Sequence, residues 1–128
     1  MGRKKRYRPG QVIWAKVADR NGVIKDQPRP LLVIHPGPET SQTPLCCLCI
    51  STDPKTDPDD PAIDMPWDAS TGDTTGLYKW CRVVLLWHVL LDQDTVTEVS
   101  GVVLSSFLDR VIAERENALL WRMARKSR

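Results

Sequence analysis

Residues 9–36, PGQVIWAKVADRNGVIKDQPRPLLVIHP, decide the fold because two apolar segments flank a polar one. In residues 11–17 (QVIWAKV), alternate positions form two sets: Val12, Trp14 and Lys16 on one face, and Ile13, Ala15 and Val17 on the other. This alternation predicts a half-buried β-strand. Residues 31–34 (LLVI) have the length of a buried strand. The polar residues 19–30 contain one glycine and two prolines and cannot continue either strand, so we predict a strand, a loop and a second strand.

Arg29 lies between Pro28 and Pro30, directly before the second apolar segment. The two prolines restrict the backbone on both sides of this residue. An arginine held stiffly at the start of a core strand is a candidate anion-binding group. The alternative is an ordinary loop arginine between two prolines.

The composition indicates one ordinary globular domain. The chain has 128 residues, of which 41% are hydrophobic and 27% charged, as in typical soluble proteins. No apolar run approaches the roughly 18 residues that would span a bilayer. The basic N-terminus is not followed by the apolar segment of a secretory signal. We therefore expect a cytoplasmic protein with no membrane contact.

The formal net charge of +2 is unevenly distributed. Basic residues crowd both ends, and the part between them is acidic: Arg3, Lys4, Lys5, Arg6 and Arg8 at one end, and Arg122, Arg125, Lys126 and Arg128 at the other. Such ends can contact nucleic acid, or can be solvated tails. We divide the chain into a flexible basic arm (1–8), one domain (9–123) and a basic tail (124–128).

Three of the four cysteines fall in one apolar run, LCCLCI (45–50), and the fourth is the distant Cys81. Zinc sites normally show paired C-x₂₋₄-C spacing in loops, whereas here three cysteines crowd one apolar, strand-like run and the fourth is distant. In a reducing compartment disulfides are rare. We predict buried thiols, and expect no metal and no cofactor.

The remaining elements complete a mainly β chain. Residues 44–51 predict a third strand that ends in Ser51 and Thr52. Seven aspartates then make residues 53–73 an acidic loop, which could fold away, pair with the basic tails or shield a site: Asp53, Asp57, Asp59, Asp60, Asp64, Asp68 and Asp73. Within it, residues 62–65 could form a short edge strand.

Two more strands and a helix follow. Residues 77–91 predict a long strand with a bulge or bend near Trp87 and His88. Residues 95–103 predict a last strand kinked at Gly101. The pattern S-x-x-D from Ser106 to Asp109 matches a capping box before an amphipathic helix over residues 107–122.

The order and spacing of these segments resemble the PemK/MazF-like family, toxin endoribonucleases of bacterial toxin–antitoxin pairs. The resemblance covers about residues 9–120. The matching segments are PGQVIW (9–14), RPLLVI (29–34), IST (50–52), WCRVV (80–84) and residues 101–108.

This resemblance implies an SH3-like small barrel, usually a homodimer, that cleaves single-stranded RNA without a metal. It also implies neutralisation by a cognate antitoxin protein that occupies the RNA groove. Arg29 would be the catalytic arginine, and Ser51 would stand in place of the family's catalytic threonine, with Thr52 beside it. The chain departs from the family in that serine, in the sequence of residues 25–28, and in the acidity of residues 53–73.

Metal-free cleavage needs a group that stabilises charge on the phosphoryl oxygens and groups that move protons. Arg29 suits the first task, because a guanidinium matches phosphate oxygens. Ser51 or Thr52 could hydrogen-bond the phosphate. Asp26 and His35 are the candidate general bases, since both are near Arg29 in sequence. Candidate substrate-binding residues are Trp14 and Trp80, which could stack bases, and the cations Lys16, Arg20 and Lys25.

Two other functions remain open at this point. The same barrel could be a catalytically weak or inactive module that binds nucleic acid or protein, which the acidic loop and the serine at position 51 favour. It could also be a structural domain of a phage or mobile-element system.

Overall fold

Two strands from the opening stretch lie in the interior of one antiparallel sheet. The computed structural model describes residues 7–19, 21–36, 44–53 and 59–126. Its strands are β1 (Gln11–Ala15), β2 (Arg29–His35), β3 (Leu45–Ser51), β4 (Ala62–Asp64), β5 (Arg82–Leu91) and β6 (Val96–Val102), and the helix is α1 (Ser105–Lys126). The order across the sheet is β4-β5-β3-β2-β1-β6. The prediction of a mainly β fold with a C-terminal helix is confirmed, as is the short edge strand β4.

The sheet is buried on both faces, and the sequence alternation sorts side chains between two cores. Val12 belongs to a cluster that includes Leu32 and Val111 of α1, which we call the helix-side core. Ile13 belongs to a second cluster with Leu31, which we call the far-side core. Because successive strand residues point to opposite faces, β1 contributes to both. The predicted alternation in residues 11–17 is confirmed. Val12 and Trp14 face the helix-side core, and Ile13, Ala15 and Val17 face the far-side core.

Strand β5 bends, and the bend moves its side chains from one core to the other. Leu48 of β3 pairs with His88, whereas Ile50 pairs with Val83, so β5 has three extra residues between these pairs. Val83 lies in the helix-side core, and Trp87 packs against the far-side core. The predicted bend is confirmed just before Trp87. It places the Trp87 ring on the face to which Arg29 points.

Several predicted boundaries were wrong, and those of the fifth strand and of the helix show why. Strand β5 begins at Arg82 rather than at residue 77, because the Leu77 amide donates to the Gly72 carbonyl in a local turn instead of joining the sheet. The helix begins at Ser105 and ends at Lys126, so Ser106 lies inside it and residues 124–126 of the predicted tail are helical. Strong helix formers such as alanine, arginine and lysine extend the last turns. Within the described ranges, no helix is long and apolar enough to cross a membrane.

The four cysteines are thiols, and Cys47, Cys49 and Cys81 are buried as predicted. Burial raises the pKa of the Cys47 thiol to about 12 and that of the Cys81 thiol to about 11. These side chains act as small apolar residues of the core. Among the residues whose placement is described, no three potential metal ligands cluster.

The acidic segment is more ordered than predicted. One Asp68 carboxylate oxygen accepts hydrogen bonds from the backbone amides of Ser70 (2.8 Å) and Thr71 (2.9 Å) and from the Ser70 hydroxyl (2.8 Å). These bonds give a defined turn to residues 66–77, which we call the Asp68 loop and which overlap the end of the predicted acidic loop (53–73); residues 54–58 lie outside the described ranges. Asp59 forms an exposed ion pair with Arg125, one of the alternatives considered for this segment. An exposed pair of this kind stabilises a fold only slightly.

Asp68 should make the stability of the protein depend on pH. Hydrogen bonds from the Thr71 amide and from Ser70 lower its pKa from 3.8 to about 2. A lowered folded-state pKa stabilises the fold above the unfolded-state value, and this stabilisation is lost as the pH falls through about 2. Asp68→Ala should lower the urea midpoint of unfolding at pH 7. The difference in midpoint between this variant and wild type should become smaller as the pH falls below about 4. The same difference in midpoint at pH 7 and at pH 2.5 would contradict the conclusion that the ionised Asp68 carboxylate stabilises the fold.

Candidate active site

Arg29 and Ser51 are cross-strand neighbours at one end of the sheet. Leu31 pairs with Cys49, and continuing this antiparallel register by two residues places Arg29 opposite Ser51. On the other side of β3, Ser51 pairs with Arg82 of β5. Directly paired residues point to the same face, with Cβ atoms about 5 Å apart. A row of arginine, serine and arginine therefore crosses the end of three adjacent strands.

The Arg29 guanidinium is held against an aromatic ring. Its central carbon lies 4.7 Å from the centroid of the Trp87 ring, which is a cation–π distance. Its Nη1 atom is buried and has no hydrogen-bond partner among the described residues. An unpaired buried donor costs about 1–3 kcal/mol, so an anion that accepts from this guanidinium would recover that cost. Arg29 is thus oriented by Trp87 but keeps unused hydrogen-bonding capacity.

Two clefts meet at this row of residues. The larger, of about 520 Å³, contains Trp14, Lys25, Tyr78 and Lys79, and we call it the Tyr78 cleft. The smaller, of about 470 Å³, contains Trp87 and Arg82 with three aspartates, and we call it the Trp87 cleft. Four residues line both clefts and form their junction: Asp19, Arg29, Ser51 and Thr52.

The two hydroxyls of the junction differ in exposure. Ser51 is half-buried, and its oxygen accepts a hydrogen bond from the Asp53 amide at 3.1 Å. Arg82 donates to the Asp53 carbonyl at 2.9 Å, which fixes the turn after β3. Thr52 is exposed. A serine oxygen that accepts one bond still has its own hydrogen to donate, so both hydroxyls could donate to an anion at the junction.

Asp19 supplies the carboxylate of the junction. Its Oδ1 accepts hydrogen bonds from the backbone amides of Asn21 (2.9 Å) and Val23 (3.0 Å). The Val23 amide is the main cause of a pKa below the ordinary value, and the positive charges of Lys25 and Arg29 lower it further. Asp19 is therefore an ionised acceptor near the guanidinium at neutral pH.

The structure brings together some of the residues that the sequence singled out. Arg29, Ser51, Thr52, Trp14 and Lys25 all line the Tyr78 cleft.

Other candidates lie elsewhere. His35 is at the opposite end of the seven-residue strand β2, about 20 Å from Arg29 at 3.3 Å per residue. Asp26 and Lys16 are exposed and are not among the described residues that line either cleft. Trp80 stacks beneath Arg82, at 5.3 Å, beside the junction rather than in a cleft wall. Arg20 lies outside the described residues.

Several residues of the site were not predicted from the sequence. Asp19, Tyr78 and Trp87 were not among the candidate site residues. The sequence carries a weak signal for Tyr78, because an aromatic residue beside Lys79 follows Gly76 in a turn. Nothing in the sequence indicated that the bend in β5 would carry Trp87 beneath Arg29.

No family model matches this chain, and no curated protein is significantly similar to it. The chemistry of the site therefore follows from its own geometry. A guanidinium, two hydroxyls and a carboxylate meet where two clefts join. Such a junction fits a tetrahedral anion that carries a substituent on each side, because the guanidinium and hydroxyls can donate to its oxygens while the clefts hold the substituents.

Proposed function

We propose that this chain is a PemK/MazF-like endoribonuclease that cleaves single-stranded RNA without a metal on an SH3-like barrel. The observation that supports it most is the placement of Arg29 opposite Ser51 at the junction of two clefts. A phosphodiester is a tetrahedral anion with two substituents, as this junction requires. The proposal includes a cytoplasmic toxin that works as a homodimer and is neutralised by a cognate antitoxin.

In the proposed reaction, the 2′-hydroxyl oxygen attacks the adjacent phosphorus and the bond to the 5′-oxygen breaks. The products are a 2′,3′-cyclic phosphate and a 5′-hydroxyl, so no water is consumed. The Arg29 guanidinium donates to the phosphoryl oxygens, on which charge grows in the transition state. Ser51 and Thr52 donate to the same phosphate and hold it for in-line attack. The leaving 5′-oxygen takes a proton from water in the open cleft.

Asp19 is the proton acceptor that the geometry favours over Asp26 and His35. It lines both clefts beside Arg29, whereas the other two lie away from the junction. Its lowered pKa makes it a weak base, but keeps it ionised and ready to accept the 2′-hydroxyl proton.

Asp19→Asn should lower kcat by about 10²-fold or more, which is typical for loss of a general base. Asparagine keeps the oxygen that accepts from the Val23 amide, so the turn should survive. Asp26→Asn removes an equal charge on the same loop and should retain activity within about 3-fold. The rates come from single-turnover cleavage with each variant. Equal losses in both variants would mean that Asp19 acts only through the overall charge of the loop.

The direct test of the proposed function uses purified protein, single-stranded RNA and a chelator. Cleavage with 2′,3′-cyclic phosphate ends is the expected result. The second candidate is a non-catalytic binding module, which the acidic lining of the Trp87 cleft (Asp19, Asp53 and Asp60) favours, since carboxylates repel phosphate. Absence of product would exclude the nuclease. An RNA complex that weakens steeply with salt would then support a nucleic-acid-binding module, and absence of RNA binding would support a module for a protein partner, which the carboxylates favour.

A further inference from the structure

Tyr78 is an exposed aromatic residue in a fixed position. Its side chain is 59% exposed, although it lines a cleft. The ring packs on the backbone of Gly72: a Cβ built there would lie 2.8 Å from the ring carbon that carries the hydroxyl. Gly72 also has a φ of +76°, which side-chain-bearing residues rarely adopt. One face or edge of the Tyr78 ring is therefore supported by protein while much of the ring remains open.

The backbone directly before Tyr78 is held in place by hydrogen bonds. The Leu77 amide donates to the Gly72 carbonyl at 2.9 Å, and the Asp68 amide donates to the Leu77 carbonyl at 3.0 Å. The buried Thr75 hydroxyl donates to the Pro66 carbonyl at 2.8 Å. The Asp68 loop therefore fixes Tyr78, the residue that follows it, before any ligand binds. A preorganised aromatic residue binds at a lower entropic cost than a mobile one.

Charge differs between the two clefts. Lys25 and Lys79 line the Tyr78 cleft together with Arg29. Outside the junction, the Trp87 cleft is lined by Asp53, Asp60 and Arg82, so its lining has one net negative charge where the Tyr78 cleft has the two positive charges of its lysines. A polyanion that reaches the junction is therefore attracted into the Tyr78 cleft. Trp14 lies in the same cleft, and its indole nitrogen donates to the Ser100 hydroxyl at 3.0 Å, which fixes a second aromatic ring there.

We propose that the Tyr78 cleft is a base-binding subsite for single-stranded RNA. One unpaired base stacks on the Tyr78 ring, and Lys79 and Lys25 contact the phosphate next to the one held at Arg29. This inference rests on the proposed function, which it deepens by giving the path of the strand. The cleft volume of about 520 Å³ lies within the range of small-ligand sites and accommodates one nucleotide. Duplex RNA is excluded from the subsite, because its bases are already stacked on one another.

The test measures binding of a fluorescein-labelled oligonucleotide with 2′-O-methyl groups, which cannot be cleaved, in chelator. Tyr78→Ala should raise Kd about 5-fold or more, the effect of losing one stacked base. Tyr78→Phe keeps the ring and should stay within about 2-fold of wild type. Trp67→Ala is the matched control: Trp67 is 40% exposed but lines neither cleft among the described residues. Lys79→Ala should reduce the slope of log Kd against log salt by about one unit.

A series of strands with one abasic position identifies the stacked base. At one position, loss of the base should weaken wild-type binding, and Tyr78→Ala should add little further loss, because both changes remove the same contact. If Tyr78→Ala binds RNA as tightly as wild type, the subsite is overturned. The nuclease proposal stands in that case as long as wild type cleaves RNA. Weakened binding by Tyr78→Ala without cleavage by wild type supports the subsite and excludes the nuclease. Absence of binding by wild type overturns both.

Discussion

Replacing Arg29 with alanine should abolish RNA cleavage, with a fall in single-turnover rate of about 10³-fold or more. Arginines that neutralise transition-state charge on phosphate contribute on this scale, and loss of a single oxyanion donor costs about 10²–10³. Arg29 is the one residue of the junction that is both cationic and stacked on Trp87. Arg82, the other arginine of the row, stacks on Trp80 and donates to the Asp53 carbonyl, and it is not among the described residues that line the Tyr78 cleft. We therefore do not expect Arg82 to replace Arg29.

Two further variants separate the role of the guanidinium from the role of charge. Arg29→Lys keeps the charge but loses the planar fork, and should remain at least about 10²-fold impaired. Arg110→Ala removes an exposed helix arginine that is paired with Glu114 at 3.5 Å, and should leave cleavage unchanged. Folding is checked by urea denaturation of all three variants. If Arg29→Ala keeps more than a tenth of wild-type activity, Arg29 does not act in the cleavage step.

The central strands and part of the site were predictable because their signals are local. The alternating pattern of residues 11–17 predicts which face of the strand each side chain occupies. In the structure, Val12 and Ile13 lie in opposite cores. The antiparallel pairing of β2 with β3 then brings Arg29 to Ser51. A hydroxyl at the end of one strand and an arginine at the start of its neighbour meet whenever such strands pair in register.

Asp19 and Tyr78 were not predictable as site residues, because their positions depend on tertiary structure. His35 is six residues from Arg29 in sequence, but an extended strand separates them by about 20 Å. Asp19 is farther away in sequence, yet the turn at residues 19–23 returns it to the junction. Tyr78 was placed in a strand because residues 77–91 are apolar, whereas hydrogen bonds within the Asp68 loop hold that segment outside the sheet.

The largest loss of stability is expected from Gly101→Ala, at a position where the Asp68 loop meets β6. A Cβ on Gly101 would lie 2.0 Å from the Thr74 carbonyl oxygen and 2.7 Å from the Thr75 Cα. Both contacts are to backbone atoms, so no side-chain rotation relieves them. The Val102 amide donates to the same Thr74 carbonyl at 3.0 Å, and this bond would break if the loop moved away. We expect a loss of at least about 3 kcal/mol, beyond the usual cost of overpacking.

Gly22→Ala is the control that isolates the cost of the close contact. Gly22 has a φ of +82° but no atom within 4 Å of a built Cβ, so only backbone strain of about 1 kcal/mol is expected. Urea midpoints of the two variants give the comparison. Since total stabilities are about 5–15 kcal/mol, Gly101→Ala should be marginal or unfolded while Gly22→Ala folds normally. Similar losses of stability in the two variants would mean that the Asp68 loop can move away from β6. Tyr78 would then not be held in a fixed position.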